Sequence, residues 1–137
     1  MWTEFISKLP HLQYMLMPRI DALSEICWTQ DSLKNFNDFE KRMNTQYLRY
    51  DAMNINYRIP TPIINDTIYL KKNNKIIIKN PSNCTTIRYT LDGSNPTTSS
   101  NKYSKPLIIK QNCILKSACF NKKNRRSSIV TSHIIVH

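Results

Sequence analysis

Trp2 and Glu4 are the first residues in this chain whose types and spacing suit a binding site. Residues i and i+2 at the end of a strand point the same way, so an aromatic face and a carboxylate acceptor can converge there on one ligand ring. Asp21 and Glu25 are the next candidates, because one helical turn separates them and they can share a face as acid and base. Asp38 and Glu40 fall in the first turn of an expected helix, where carboxylates favour the positive end of the dipole, and no catalytic role follows for them. His11, His133 and His137 are isolated. Cys27, Cys84, Cys113 and Cys119 show no C-x-x-C spacing and have no histidine cluster beside them, so no metal site or cofactor is expected. Cys113 and Cys119 are six apart, which puts them on the same side of one strand and too far apart to bond each other. Buried free thiols are the expectation, with a cross-strand disulfide from Cys84 to Cys113 or Cys119 as the alternative. Asn65-Asp66-Thr67 and Asn83-Cys84-Thr85 fit a glycosylation pattern, although such triplets arise easily in an Asn-rich chain.

The elements that would position these residues change type partway along the 137-residue chain, which is long enough for one ordinary domain or two small ones. Leu12, Met15, Leu16, Ile20, Leu23 and Cys27 recur at three- and four-residue steps and predict a helical stripe. Pro18 has no N–H to donate and collides with the preceding turn, so a kink or a fresh helix start is expected there. Trp28 should pack at the helix end. A second helix is predicted from about Phe36 to Met53, with Phe36, Phe39, Met43, Gln46, Tyr47, Tyr50 and Met53 on one face and Asn37 followed by Glu40 as its start signal. The run Ile59-Pro60-Thr61-Pro62 should be extended and makes a natural linker. Beyond it come short β-branched runs: Thr67 to Leu70, Lys75 to Lys79, Thr86 to Leu91, Leu107 to Ile109, Cys113 to Phe120 and Ser128 to Val136. That spacing predicts a small antiparallel β-sandwich, with its tight turn at Asp92-Gly93, the only glycine in the chain.

Charge divides the chain at the same place. Residues 1–58 hold seven basic side chains (Lys8, Arg19, Lys34, Lys41, Arg42, Arg49, Arg58) and seven acidic ones (Glu4, Asp21, Glu25, Asp31, Asp38, Glu40, Asp51), so that half is neutral. The totals of 20 basic and 9 acidic residues leave 13 against 2 beyond it, and the whole net charge of +11 sits there. Such a segment attracts polyanions in general: nucleic acid, anionic lipid or acidic polysaccharide. Most of its lysines are scattered among Asn and Ile, as on a solvated strand face. Lys122-Lys123-Asn124-Arg125-Arg126 is the only dense cluster; it is expected in a hairpin loop and lacks the aromatics on which a single-strand binder stacks bases, so no nucleic-acid partner is expected. No stretch approaches the ~20 apolar residues of a membrane span, and Glu4 stands where a signal peptide would carry basic residues.

Two stretches resemble known proteins. Met1-Trp2-Thr3-Glu4-Phe5-Ile6 and Tyr14-Met15-Leu16-Met17-Pro18-Arg19-Ile20-Asp21-Ala22-Leu23-Ser24-Glu25-Ile26-Cys27-Trp28-Thr29 resemble the eighth barrel strand and following helix of the β-N-acetylhexosaminidases of glycoside hydrolase family 20. Phe39-Glu40-Lys41-Arg42, Leu48-Arg49-Tyr50-Asp51 and Asn56-Tyr57-Arg58 continue the resemblance. Ile87-Arg88-Tyr89-Thr90-Leu91-Asp92-Gly93-Ser94-Asn95-Pro96-Thr97, Tyr103 and Leu115-Lys116-Ser117-Ala118 are similar to the chitobiase-type, fibronectin III-like β-sandwich often appended to these enzymes. The resemblance implies an α+β fragment. An N-terminal strand and two helices from the end of a (β/α)8 barrel would occupy 1–58, a linker 59–62, and a small antiparallel β-sandwich 63–137.

The same resemblance implies a retaining hydrolysis of terminal N-acetylhexosamine residues, in which the sugar's own acetamido oxygen attacks the anomeric carbon. An adjacent Asp-Glu pair on an earlier barrel strand orients the acetamide and protonates the leaving oxygen. No adjacent Asp-Glu occurs in these 137 residues, so no catalytic residue is assigned and the chain by itself is expected to be inactive. Asp21 and Glu25 would lie on a helix outside the barrel, far from a sugar at the strand ends, and are read as structural. Trp2 and Glu4 match the pocket wall and the hydroxyl-binding carboxylate, and are the expected substrate-binding positions. The partners implied are an N-acetylhexosaminide in the parent enzyme and the missing barrel portion. The parent family is usually periplasmic, surface-attached or secreted. The alternative is a free-standing, non-catalytic β-sandwich module that binds protein or glycan, with the helices as an adaptor.

A barrel needs about 250 residues before its helices have a surface to bury against. Leaving half a dozen Leu- or Phe-sized groups exposed forfeits on the order of 10 kcal/mol, comparable to a domain's whole stability. Limited proteolysis of the 137-residue chain should therefore cut before Ile59 sooner than inside the β region, as read by mass spectrometry of the first fragments.

Overall fold

In the computed structural model, which describes residues 5–71, 74–81 and 84–137, Pro18 divides the first apolar stripe into two helices. Helix α1 spans Leu9–Leu16 and α2 spans Arg19–Trp28, with Pro18 as the N-cap of α2. A proline nitrogen has no hydrogen to give to a carbonyl one turn back, so α1 stops and a new helix starts. Its carbonyl accepts from Asp21 N–H at 3.1 Å, the first bond of α2. A 3-10 turn at Asp31–Leu33 leads to α3, Phe36–Ala52. The cap of α3 is Asn35, not Asn37: Asn35 has extended backbone and its side chain accepts from Asp38 N–H at 3.2 Å. Asn37 already lies inside the helix and cannot fold back on its first turn. No helix of the described residues is long and apolar enough to cross a membrane.

Met1–Arg58 forms one of two compact units. Its interior is small and aromatic. Met43, Tyr50 and Tyr57 are buried, and the rings of Tyr47, Tyr50 and Tyr57 lie 4.9 to 6.2 Å apart. The segment after α3 folds back to close it: Asn56 N–H donates to the Gln13 side-chain oxygen at 3.1 Å, the Asn56 amide to Pro10 O at 2.9 Å, and Arg58 N–H to Met17 O at 3.0 Å. Ile20, Leu23 and Ile26 on α2 stay exposed. Trp28, expected to pack at the helix end, is 88% exposed. It is the last residue of α2, and the chain leaves in extended conformation at Thr29, so nothing folds over the indole. The N-terminal strand expected around Trp2 and Glu4 falls largely outside the described residues; Phe5 to Lys8 are not strand.

Ile59–His137 forms the second unit. Its strands are β1 Thr67–Leu70, β2 Lys75–Ile76, β3 Thr86–Thr90, β4 Asn101–Lys102, β5 Leu107–Ile108, β6 Cys113–Phe120 and β7 Val130–Val136. One sheet has the order β1-β7-β6-β3-β4 and the other pairs β2 with β5. Leu115, Ser117, Cys119, Ser132 and Ile134 from the larger sheet are buried, as are Ile76 of the smaller and Ile78 and Ile109 just beyond its two strands, the alternation of a two-sheet core. Tyr103 ties the two together: its N–H donates to Ile87 O at 2.9 Å and its hydroxyl accepts from Ile78 N–H at 3.1 Å.

The larger sheet is mixed, which corrects the all-antiparallel expectation. β1 runs parallel to β7, with Thr67 opposite His133 and Leu70 opposite Val136. A hairpin forces neighbouring strands to be antiparallel, but β1 and β7 are the first and last strands of the unit, so no short turn sets their direction. β4 adds a strand absent from the expected set, because Asn101 and Lys102 carry no β-branched or apolar signal; their pairing with Tyr89 and Arg88 makes the strand. Gly93 takes φ +76°, where a side chain is strained, while a Cβ there would meet only ordinary contacts at 3.6 Å from Ile114. Asp92 shapes that turn by accepting from the N–H and hydroxyl of Ser94 at 3.0 and 2.6 Å.

Cys84 and Cys119 form a disulfide, Cα atoms 5.5 Å apart, so the expectation of free thiols holds only for Cys27 and Cys113. Pairing of Thr86 with Phe120 and Ile87 with Cys119 brings the chain just before β3 beside the end of β6, where the two sulfurs meet. Of the free pair, Cys27 is exposed, and burial pushes the half-buried Cys113 thiol up. The cross-link closes a loop of 35 residues, and chain-entropy arguments give it about 3–4 kcal/mol. The Cys84→Ala/Cys119→Ala variant should lose that much in urea unfolding followed by far-UV circular dichroism, and reducing agent should destabilise the parent chain but not the variant.

Candidate functional site

Trp2 and Glu4, the residues singled out for substrate binding, lie outside the described residues. A cleft of about 460 Å³ lies between α2 and α3 of the helical unit, and its lining includes the other carboxylate pair, Asp21 and Glu25. Helical spacing does put both on one face of α2, and α3 supplies a partner for each.

Glu25 is held by Arg42. The guanidinium makes two parallel bonds to it, Nη1 to Oε2 at 3.0 Å and Nη2 to Oε1 at 2.7 Å, and its Nε donates to Asp38 Oδ2 at 2.9 Å. One arginine thus joins a carboxylate on α2 to one on its own helix four residues earlier. The hydrogen bonds from Arg42 hold the Glu25 carboxyl below its usual range, and the two carboxylates raise the guanidinium in turn. Phe39 lies under the guanidinium, 6.0 Å from its centre. A proton donor for a glycosidic oxygen needs a raised pKa, and Glu25 is shifted the other way.

Asp21 accepts the hydroxyl of buried Tyr50, which also contacts the Met17 sulfur at 3.2 Å. Loss of solvent, followed by the bond to Asp21, pushes Tyr50 up to about 12; burial beside Tyr57 and Asp21 does the same to Tyr47. Both carboxylates therefore act as fasteners between helices, as the structural reading of Asp21 and Glu25 supposes. The Asp38 to Arg42 spacing was legible as an i,i+4 pair. The reach of Arg42 to Glu25 was not, because it depends on how α2 lies against α3.

In the β unit, a smaller hollow of about 270 Å³ is lined by Tyr89, Thr90, Asp92, Ser99, Ser100 and Asn101. Hydrogen bonds from Ser94 lower the Asp92 carboxyl, so this acid is occupied in its own turn. Among the described residues, no three His, Cys, Asp or Glu side chains come together to hold a metal ion. Three basic residues anchor the loop above β3: Arg88 donates to Ser100 O at 2.6 Å, Arg126 to Pro96 O at 3.1 Å and Lys116 to Asn95 Oδ1 at 3.1 Å.

Residues 76–134 match the family described as Fn3 associated. Over 120 residues, 85% of this chain, the sequence is 32% identical to a beta-hexosaminidase of Porphyromonas gingivalis, and the chain spans 15% of that protein's length. The matched length exceeds either structural unit, so the similarity runs from the helical unit into the β unit. Among solved structures, fibronectin(III)-like modules of Clostridium thermocellum CbhA align with a TM-score of 0.40 at 11% identity, over 57% of this chain and 94% of that one, a score too low to equate the folds.

Tyr47 and Tyr50 give the helical unit an alkaline limit. Their folded-state values lie above the ordinary 10.0, so the neutral rings contribute stability that is complete below pH 10 and lost as pH rises towards about 12. Tyr50→Phe keeps the ring but removes the bond to Asp21, and should cost about 1–3 kcal/mol of helical stability at neutral pH. Its helical signal should also decline less between pH 10 and 12 than that of the parent chain, read by circular dichroism across an alkaline titration.

Proposed function

We propose that these 137 residues are the end of the catalytic barrel and the accessory β-sandwich of a glycoside hydrolase family 20 β-N-acetylhexosaminidase, an exported enzyme that removes terminal N-acetylhexosamine from glycans. The observation that carries this reading is the continuous similarity to a beta-hexosaminidase across both units, in the order helices then β unit. A match to an accessory module alone would have ended near residue 59. The exposed apolar face of α2, with Leu23 58% and Ile26 61% accessible, supports it, since helices of a (β/α)8 ring bury that face on the barrel.

On this reading, residues 1–58 supply the last strand and outer helices, with Trp2 as an apolar wall and Glu4 as the hydroxyl acceptor for the terminal sugar. Cleavage belongs to an Asp-Glu pair outside these residues. The Glu25–Arg42 and Tyr50–Asp21 contacts hold the outer helices in place and take no part in the reaction.

The 137-residue chain should release no chromophore from p-nitrophenyl N-acetyl-β-glucosaminide, and release free of host enzyme would overturn the placement of the cleaving Asp-Glu pair outside these residues. The genomic sequence before Met1 gives the complementary test. A barrel-coding stretch with an adjacent Asp-Glu pair, in frame or shifted, supports the reading, whereas a promoter and signal peptide of its own would make this a separate non-catalytic module.

A further inference from the structure

The second unit carries far more positive charge than its own fold uses. Arg88, Lys116 and Arg126 are spent on the loop above β3. Lys75, Lys79 and Lys110 are exposed and have no ion-pair partner among the described residues. The only acids of the unit are Asp66 and Asp92, and Asp92 is engaged by Ser94.

These three lysines share one face with three exposed isoleucines. From Lys75 to Lys79 the chain alternates strictly: Ile76 and Ile78 are 3% and 2% exposed, while Ile77 is 64% exposed between the two lysines. The register Lys75 opposite Ile108 sets Ile108, 57% exposed, beside Lys75 on the outer face. Ile109 turns inward at 6%, so Lys110 returns to the outside. On the other flank, Ile63 pairs with Lys79, their backbones bonded at 3.1 and 3.0 Å, and Ile63 is 59% exposed. The strands β2 and β5, the residues that continue them and the bridge at Ile63 thus present isoleucines interleaved with lysines, and no aromatic ring.

The chemistry of the face narrows its occupant. Nucleic acid bound without a groove needs rings on which to stack. An acidic glycan gives three bare isoleucines nothing to bury against. A bilayer with anionic headgroups satisfies both halves, since branched apolar side chains enter the acyl boundary while lysines stay at the phosphates. We propose that the outer face of the β2–β5 sheet docks on an anionic lipid surface, with Ile63, Ile77 and Ile108 inserted and Lys75, Lys79 and Lys110 at the headgroups.

The purified 137-residue chain should co-sediment with phosphatidylcholine vesicles containing phosphatidylglycerol and stay free with phosphatidylcholine alone. Ile77→Ser/Ile108→Ser leaves the net charge unchanged and should weaken binding about tenfold or more. Lys75→Gln/Lys79→Gln/Lys110→Gln should weaken it by a similar factor or more, whereas Lys102→Gln/Lys122→Gln/Lys123→Gln, with the same loss of charge elsewhere, should stay within about twofold. All variants should keep the parent melting temperature, because every substituted side chain is exposed. Failure to bind the anionic vesicles, an isoleucine variant that binds like the parent, or equal losses from the two lysine triples would overturn the proposal. Retention on heparin that depends on Ile77 and Ile108 as strongly as vesicle binding does would assign the face to an acidic glycan instead, and would overturn it too.

Discussion

Strand β6 is the element without which the β unit has no interior. Leu115, Ser117, Ala118 and Cys119 are fully buried, and the strand is bonded along both edges, to β3 and to β7. Residues facing opposite sides of its C-terminal half are buried together, which is the pattern of a central strand. The disulfide from Cys119 to Cys84 adds a covalent clamp at the same end, tying the chain before β3 to the strand most deeply enclosed. Ile76 of the smaller sheet, with Ile78 and Ile109 just beyond its strands, is buried as well. A unit this small has a low ratio of buried to exposed surface, and a cross-link that restricts the unfolded chain supplies part of what its core cannot.

The helical unit solves the same problem with less apolar material. Its buried interior among the described residues is Met43, Tyr50 and Tyr57, and polar contacts do much of the fastening. Tyr50 to Asp21 and Arg42 to Glu25 each join α3 to α2, while the return segment from Ile55 to Arg58 is bonded to Pro10, Gln13 and Met17. The residues that could build a larger core, Ile20, Leu23 and Ile26, face solvent. That imbalance accords with the proposed place of these helices on the outside of a barrel, where the same face would find its partner.

The two units also divide the electrostatic work. Acids and bases balance in the first and meet in pairs such as Glu25–Arg42–Asp38, whereas the second has two acids for thirteen bases. In the β unit, Arg126 and Arg88 have a structural task, capping the carbonyls of Pro96 and Ser100, and Lys116 bonds the Asn95 side chain. The lysines of the β2–β5 face have none, and it is this surplus beside exposed isoleucines that points outward from the fold.

Elements governed by local rules were legible in the sequence. β1 and β6 fall on the predicted residues, because β-branched runs bounded by turn residues fix a strand within a few positions. The interruption at Pro18 and the positive φ at Gly93 follow from single-residue chemistry. The resemblance to a hexosaminidase rests on no single residue; runs of fixed neighbours such as Tyr14-Met15-Leu16-Met17-Pro18-Arg19 carry it, and the similarity spanning both units supports it. What depended on distant parts of the chain was decided by tertiary structure alone. Sequence spacing left Cys84 as a buried free thiol or, alternatively, a partner of Cys113 or Cys119, and the β3–β6 register brought it to Cys119. β4 exists only because Tyr89 and Arg88 offer it an edge, and β1 runs parallel because nothing local sets its direction. The exposure of Trp28 and the grip of Arg42 on Glu25 were likewise unreadable, since both depend on where one helix lies against another, and three- and four-residue periodicity describes a helix face without naming what covers it.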